Sequence, residues 1–118
     1  MQWGTITPTD IDAIVDYQNK IWIIYEVKMV GKDVPYGQRL ALMRLIQNAK
    51  NSGKHGCAMI VEHNVTDPHN NVFLKDCIVR EMYTTDRMQW RTPRRRKTAL
   101  QATDDYIQYH KTIDVYRR

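Results

Sequence analysis

Four ionisable residues near the amino terminus are those whose types and spacing could do chemistry: Asp10, Asp12, Glu26 and Lys28, within "TDIDAIVDYQNKIWIIYEVK". They interrupt two apolar, β-rich runs, 10–17 and 21–28, joined by the polar "QNK". A three-residue hairpin loop at Gln18, Asn19 and Lys20 suits Asn, which tolerates positive φ. Residues whose numbers sum to 38 then face each other. Tyr17 meets Ile21, Val15 meets Ile23, Ala13 meets Tyr25 and Ile11 meets Val27, which makes one face apolar. Alternation leaves Asp16 with Trp22, Ile14 with Ile24, Asp12 with Glu26 and Asp10 with Lys28 on the other. Opposed residues hold their Cβ atoms about 5 Å apart, and like charges there are destabilising. A divalent cation removes that penalty, because paired carboxylates are oxygen ligands for Mg²⁺ or Mn²⁺. A one-residue slip would scatter the set over both faces. The competing explanation is plain strand-end charge, with Lys28 neutralising a carboxylate.

A second constellation is basic. Arg87, Arg91, Arg94, Arg95, Arg96 and Lys97 fall between 87 and 97 in a chain of net charge +5. Such a cluster favours polyanions such as nucleic acid, against the simpler reading of a solvated basic loop. Pro93 keeps the start of the run out of a helix. Trp90 either stacks on a base or caps a sheet edge.

The elements that must position these groups follow from pattern. After the two strands, 29–35 is a connector containing Gly and Pro. Residues 36–54 read as a helix ending near Gly53, with Leu42, Leu45, Ile46 and Ala49 as its apolar stripe. Strands are expected at 57–63 and 76–84, with a turn-rich loop between them and the basic loop after them. A last helix over about 98–111 has Thr98 as N-cap. The order β-β-α-β-β-α in 118 residues predicts one α/β domain, 1–118, built on a central mixed sheet flanked by helices.

The motif order adds a resemblance. "TDID" in one strand and "YEVK" closing the next resemble the PD-(D/E)XK nuclease superfamily, whose signature is an Asp, then a strand with Glu-x-Lys. Asp12 and Glu26 lie fourteen residues apart, as in its compact members, which resemble Holliday-junction resolvases and small phage nucleases. The resemblance covers residues 5 to about 62. It implies a restriction-endonuclease-like core, with Asp12 and Glu26 as metal ligands and Lys28 at the attacking water or the scissile phosphate. Gln38 matches the glutamine that many relatives carry on the following helix. Two departures stand out. Only about nine residues precede "DID", too few for the family's N-terminal core helix, so a partner subunit, the C-terminal helix or nothing fills its place, with Asp10 a substitute for that helix's acid, and a homodimer is favoured. The literal motif is "PTDID", so Asp10 competes with Asp12 as the family aspartate; the register favours Asp12.

Other chemistries are poorly served. Cys57 and Cys77 lack metal spacing and read as reduced core residues. "EHNVTDPHNN" faintly resembles HNH nucleases but lacks the helix of a ββα finger. Ser52, the only serine, has no nucleophile elbow, and no glycine-rich loop suggests a nucleotide cofactor. No apolar run reaches the ~20 residues of a membrane span, and no signal peptide is evident, so a cytoplasmic setting is expected, the host's if the chain is phage-encoded. The expected activity is Mg²⁺- or Mn²⁺-dependent DNA cleavage. The alternatives are a catalytically inactive DNA-binding or regulatory protein on the same fold, and a scaffold whose basic loop docks an acidic partner.

Overall fold

The structure, a computed structural model, describes residues 5–6, 12–65 and 70–116, with side chains for 13–65 and 70–112. The chain order is β1 (Thr5–Ile6), β2 (Asp12–Tyr17), β3 (Ile21–Met29), α1 (Tyr36–Asn51), β4 (His55–His63) and β5 (Val72–Phe73). A 3₁₀ turn (Leu74–Asp76), β6 (Ile78–Thr84), β7 (Trp90–Arg91) and α2 (Ala99–Tyr116) follow. Five strands form a mixed sheet in the order β2-β3-β4-β6-β7, and β1 pairs with β5 in a separate two-stranded ladder. Only the β3–β4 pair is parallel within the five, and α1 is the connection between these two strands.

Helices cover both faces of the sheet. That is why "IWIIYEV" and "HGCAMIV" read as nearly unbroken apolar runs instead of alternating ones. Val15, Ile23, Tyr25, Val27, Met59 and Val61 face α2, whose stripe is Ala99, Ala102, Tyr106 and Ile107. Ile24 and Ala58 face α1, through Leu42 and Ile46. Of the expected stripe, Leu42, Ile46 and Ala49 are buried, whereas Leu45 is 42% exposed. The helix buries 42, 46 and 49, spaced by four and three, so Leu45 falls beyond the edge of that stripe.

Local chemistry fixes the ends of α1 and α2. The helix α1 stops in a Schellman motif: Lys54 N–H donates to the Ala49 carbonyl (2.9 Å), Gly53 N–H to Lys50 (3.0 Å), and Gly53 has φ of +75°. It lies close on the sheet because β4 presents Gly56, where an added Cβ would meet the Ala49 Cβ at 3.1 Å. At α2, Thr98 and Gln101 form a reciprocal capping box: Gln101 N–H donates to Thr98 Oγ1 (3.1 Å), and Thr98 N–H to Gln101 Oε1 (3.0 Å). Tyr106 then donates from its hydroxyl to the Gly56 carbonyl (2.9 Å), tying α2 to β4. Cys57 and Cys77 are free, buried thiols. No described helix is long and apolar enough to cross a membrane.

Candidate active site

The hairpin closes through Gln18 and Asn19, both at positive φ (53° and 56°), with Lys20 N–H donating to Tyr17 O at 3.0 Å. Two positive φ values are the backbone signature of the tight turns that match strand twist. Asp16 Oδ1 accepts from Asn19 N–H (2.8 Å) and steadies the turn. The resulting ladder pairs Asp12 with Glu26, Ile14 with Ile24, Asp16 with Trp22 and Tyr17 with Ile21, the register read from the sequence. Asp12 is thus directly opposite Glu26 along the backbone; its side chain and all of Asp10 lie outside the described residues.

Extending this register across the sheet gives one transverse row. Asp12 faces Glu26, Glu26 faces Ile60, and Ile60 faces Glu81. The row lies towards the carboxyl end of the parallel pair β3–β4, where open α/β sheets bind ligands. Glu26 is only 3% exposed. An ionised carboxylate in such a place needs compensation, and Lys28 Nζ lies 3.4 Å from its Oε1. Lys28 in turn faces Glu62 on β4. Arg80 holds Glu62 at 2.9 Å, and that hydrogen bond keeps the Glu62 carboxyl below the usual carboxylate range.

The first turn of α1 is anchored over the far end of the row. Arg39 grips Glu81 with both nitrogens, at 3.2 and 2.6 Å, and its guanidinium lies 5.1 Å from the Trp90 ring centre. Gln38 precedes it and is partly buried; its Oε1 is shielded from solvent and has no hydrogen-bond partner among the described residues. Among the described residues no three His, Cys, Asp or Glu side chains cluster closely enough to hold a metal ion. The register explains this. Glu81 is two strand spacings, about 10 Å, from Glu26, with Ile60 between them. Asp12 is the acidic neighbour that the ladder gives Glu26.

The basic residues divide into two groups. Arg87, Arg91 and Lys97 line a shallow groove against α2 that also contains Asp86 and Asp105, and Lys97 is paired with Asp105 at 2.8 Å. Arg94, Arg95 and Arg96 are exposed. Arg91 faces Met82 on β6, and Val79 N–H donates to the Lys97 carbonyl (2.9 Å), so six residues of chain pass three of β6 and must bulge outward. The arginine bulge leaves the sheet beside Glu81, level with the Glu26 row and about 14 Å from it at three strand spacings. Their distance in sequence would have put them far apart. Trp90 is half-buried against Tyr83, with ring centres 5.3 Å apart, as a residue that caps a sheet edge.

Sequence reasoning missed Arg39, Glu81 and the Arg80–Glu62 pair. Glu81 sits between Arg80 and Met82 in "IVREMYT", and Arg39 adjoins Gln38, but only the strand order brings them together. Comparison with family models, curated proteins and solved structures gave no match.

Proposed function

We propose that this chain is a metal-dependent phosphodiesterase acting on DNA. The observation that carries the reading is the Asp12–Glu26 ladder pair with the Lys28 ammonium 3.4 Å from the Glu26 carboxylate. A hairpin followed by a helix and a parallel strand suits a restriction-endonuclease-like core, the frame in which the Asp, Glu-x-Lys and helical Gln have these roles. The residue types suit a hard cation, two acidic residues opposed along one ladder, with Gln38 at the start of α1 supporting the arrangement. Asp12 and Glu26 would hold Mg²⁺ or Mn²⁺, with Asp10 a further candidate. When bound, such an ion supplies Lewis acidity toward a phosphate oxygen and acidifies water.

The chain's own groups do the rest. Lys28, 3.4 Å from Glu26, is placed to orient a water or to balance charge on a phosphate. The cover of α1 limits solvent access and raises the strength of these charge interactions. Arg94, Arg95 and Arg96, on the bulge that leaves the sheet beside Glu81, hold the DNA backbone, which sets affinity and position, not sequence choice. A catalytically inert DNA-binding protein is the second reading. It is favoured by one observation: Lys28 already compensates Glu26.

A thermal melt separates the two. A ligand that binds only the folded state stabilises it, so Mn²⁺ should raise the Tm of the wild type. Asp12→Asn and Glu26→Gln should each abolish the increase. An equal Mn²⁺ shift in both variants removes the metal site.

A further inference from the structure

A separate concavity of about 510 Å³ opens beside the carboxylate row. That volume lies within the range of small-ligand sites. Glu62 lines it, and Glu62 faces Lys28 across the β3–β4 ladder, so the pocket opens one strand spacing, about 5 Å, from the candidate site.

The chemistry of the walls selects the ligand. Phe73 stands at the pocket 49% exposed, an aromatic ring that the core does not consume. Such a ring stacks on any base, because every base has a π face. Asn64 and Asn71 bring amide groups that both donate and accept, as base edges require. His63 accepts a hydrogen bond at Nδ1 from Val65 N–H (3.1 Å), and burial holds its pKa down, so it adds no positive charge at neutral pH. Two acids line the pocket, Glu62, which Arg80 matches, and Asp76; Arg96 is the cation in the lining among the described residues.

We propose that this pocket takes one unpaired nucleotide of a DNA substrate, with the base on Phe73 and its phosphate at Arg96. The inference rests on the phosphodiesterase reading and narrows it. A base inside a duplex must first leave its stack, whereas an unpaired one need not. The substrate class is therefore DNA with an unpaired nucleotide next to the cut, such as a flap or a single strand.

The test is fluorescence anisotropy in EDTA, so that no strand is cut, with single-stranded, flapped and blunt duplex oligonucleotides of equal length. The wild type should bind the first two roughly 5- to 150-fold more tightly than the duplex, the range that one stacked base contributes. Phe73→Ala should erase that preference and leave duplex affinity unchanged. Phe73→Leu, which keeps the apolar packing and loses the ring, should do the same and guards against a folding defect. Equal wild-type affinity for all three DNAs overturns the pocket assignment and leaves the phosphodiesterase reading standing. A preference that survives both variants overturns it too. Failure to bind any of the DNAs, together with no metal-dependent cleavage, overturns both.

Discussion

Lys28 sits between two demands. Its ammonium compensates a nearly buried carboxylate at 3.4 Å, and the same position beside Glu26 suits it to act on a reacting water or phosphate. The two roles separate on substitution. Lys28→Ala should lower the cleavage rate by roughly 10²- to 10⁴-fold, the scale of a positioned proton-handling or charge-balancing group. DNA affinity should stay within a few-fold. If affinity falls as far as rate, Lys28 is a phosphate anchor only. At this scale the sequence was informative where alternation applies: Glu26 and Lys28 lie two apart on one strand, and Asp12 lies opposite by hairpin arithmetic. It was silent on Lys97, whose partner Asp105 is a helix residue brought near by the fold, and so an exposed ion pair occupies a side chain read as a phosphate contact.

At the scale of elements, the hairpin was legible because its turn is local and its strands share one register. The close seating of α1 was not legible. It depends on Gly56, a residue that in sequence merely precedes an apolar run, and on Ala49 in the last turn of the helix. Gly56→Ala would push its Cβ against Ala49 at 3.1 Å and Ile46 at 3.3 Å. The expected cost is about 1–3 kcal/mol, the range for overpacking a filled core, measured by urea denaturation. The same shift of α1 should loosen the Arg39–Glu81 grip and reduce Mn²⁺ binding. A variant as stable as the wild type would mean that the helix slides freely on the sheet. The 3₁₀ turn, β5 and β7 escaped the sequence reading because short segments carry no period to detect.

For the whole molecule, strand order is what puts the hairpin and the strand that leads into the arginine run on one sheet. The β3–α1–β4 crossover puts β4 beside β3, β6 pairs with β4, and the chain after β7 bulges out level with Glu26. None of this follows from residue spacing, since long-range pairing decides it. The charge division also makes a prediction. Each phosphate contact contributes about −0.9 to the slope of log affinity against log salt on duplex DNA. Arg94→Ala, Arg95→Ala and Arg96→Ala together should flatten the slope by about two to three units. Lys97→Ala should leave it nearly unchanged, because Asp105 already holds that ammonium. An unchanged slope in the triple variant would assign the arginines to an acidic protein partner.

The most direct measurement is a nicking and linearisation assay on supercoiled plasmid, run with Mg²⁺, with Mn²⁺ and with EDTA, for the wild type, Asp12→Asn and Glu26→Gln. The expected result is cleavage by the wild type in either metal, none in EDTA, and none by the two variants although they still bind DNA. Cleavage that persists in EDTA, or in both variants at the wild-type rate, would contradict a metal site at the Asp12–Glu26 pair.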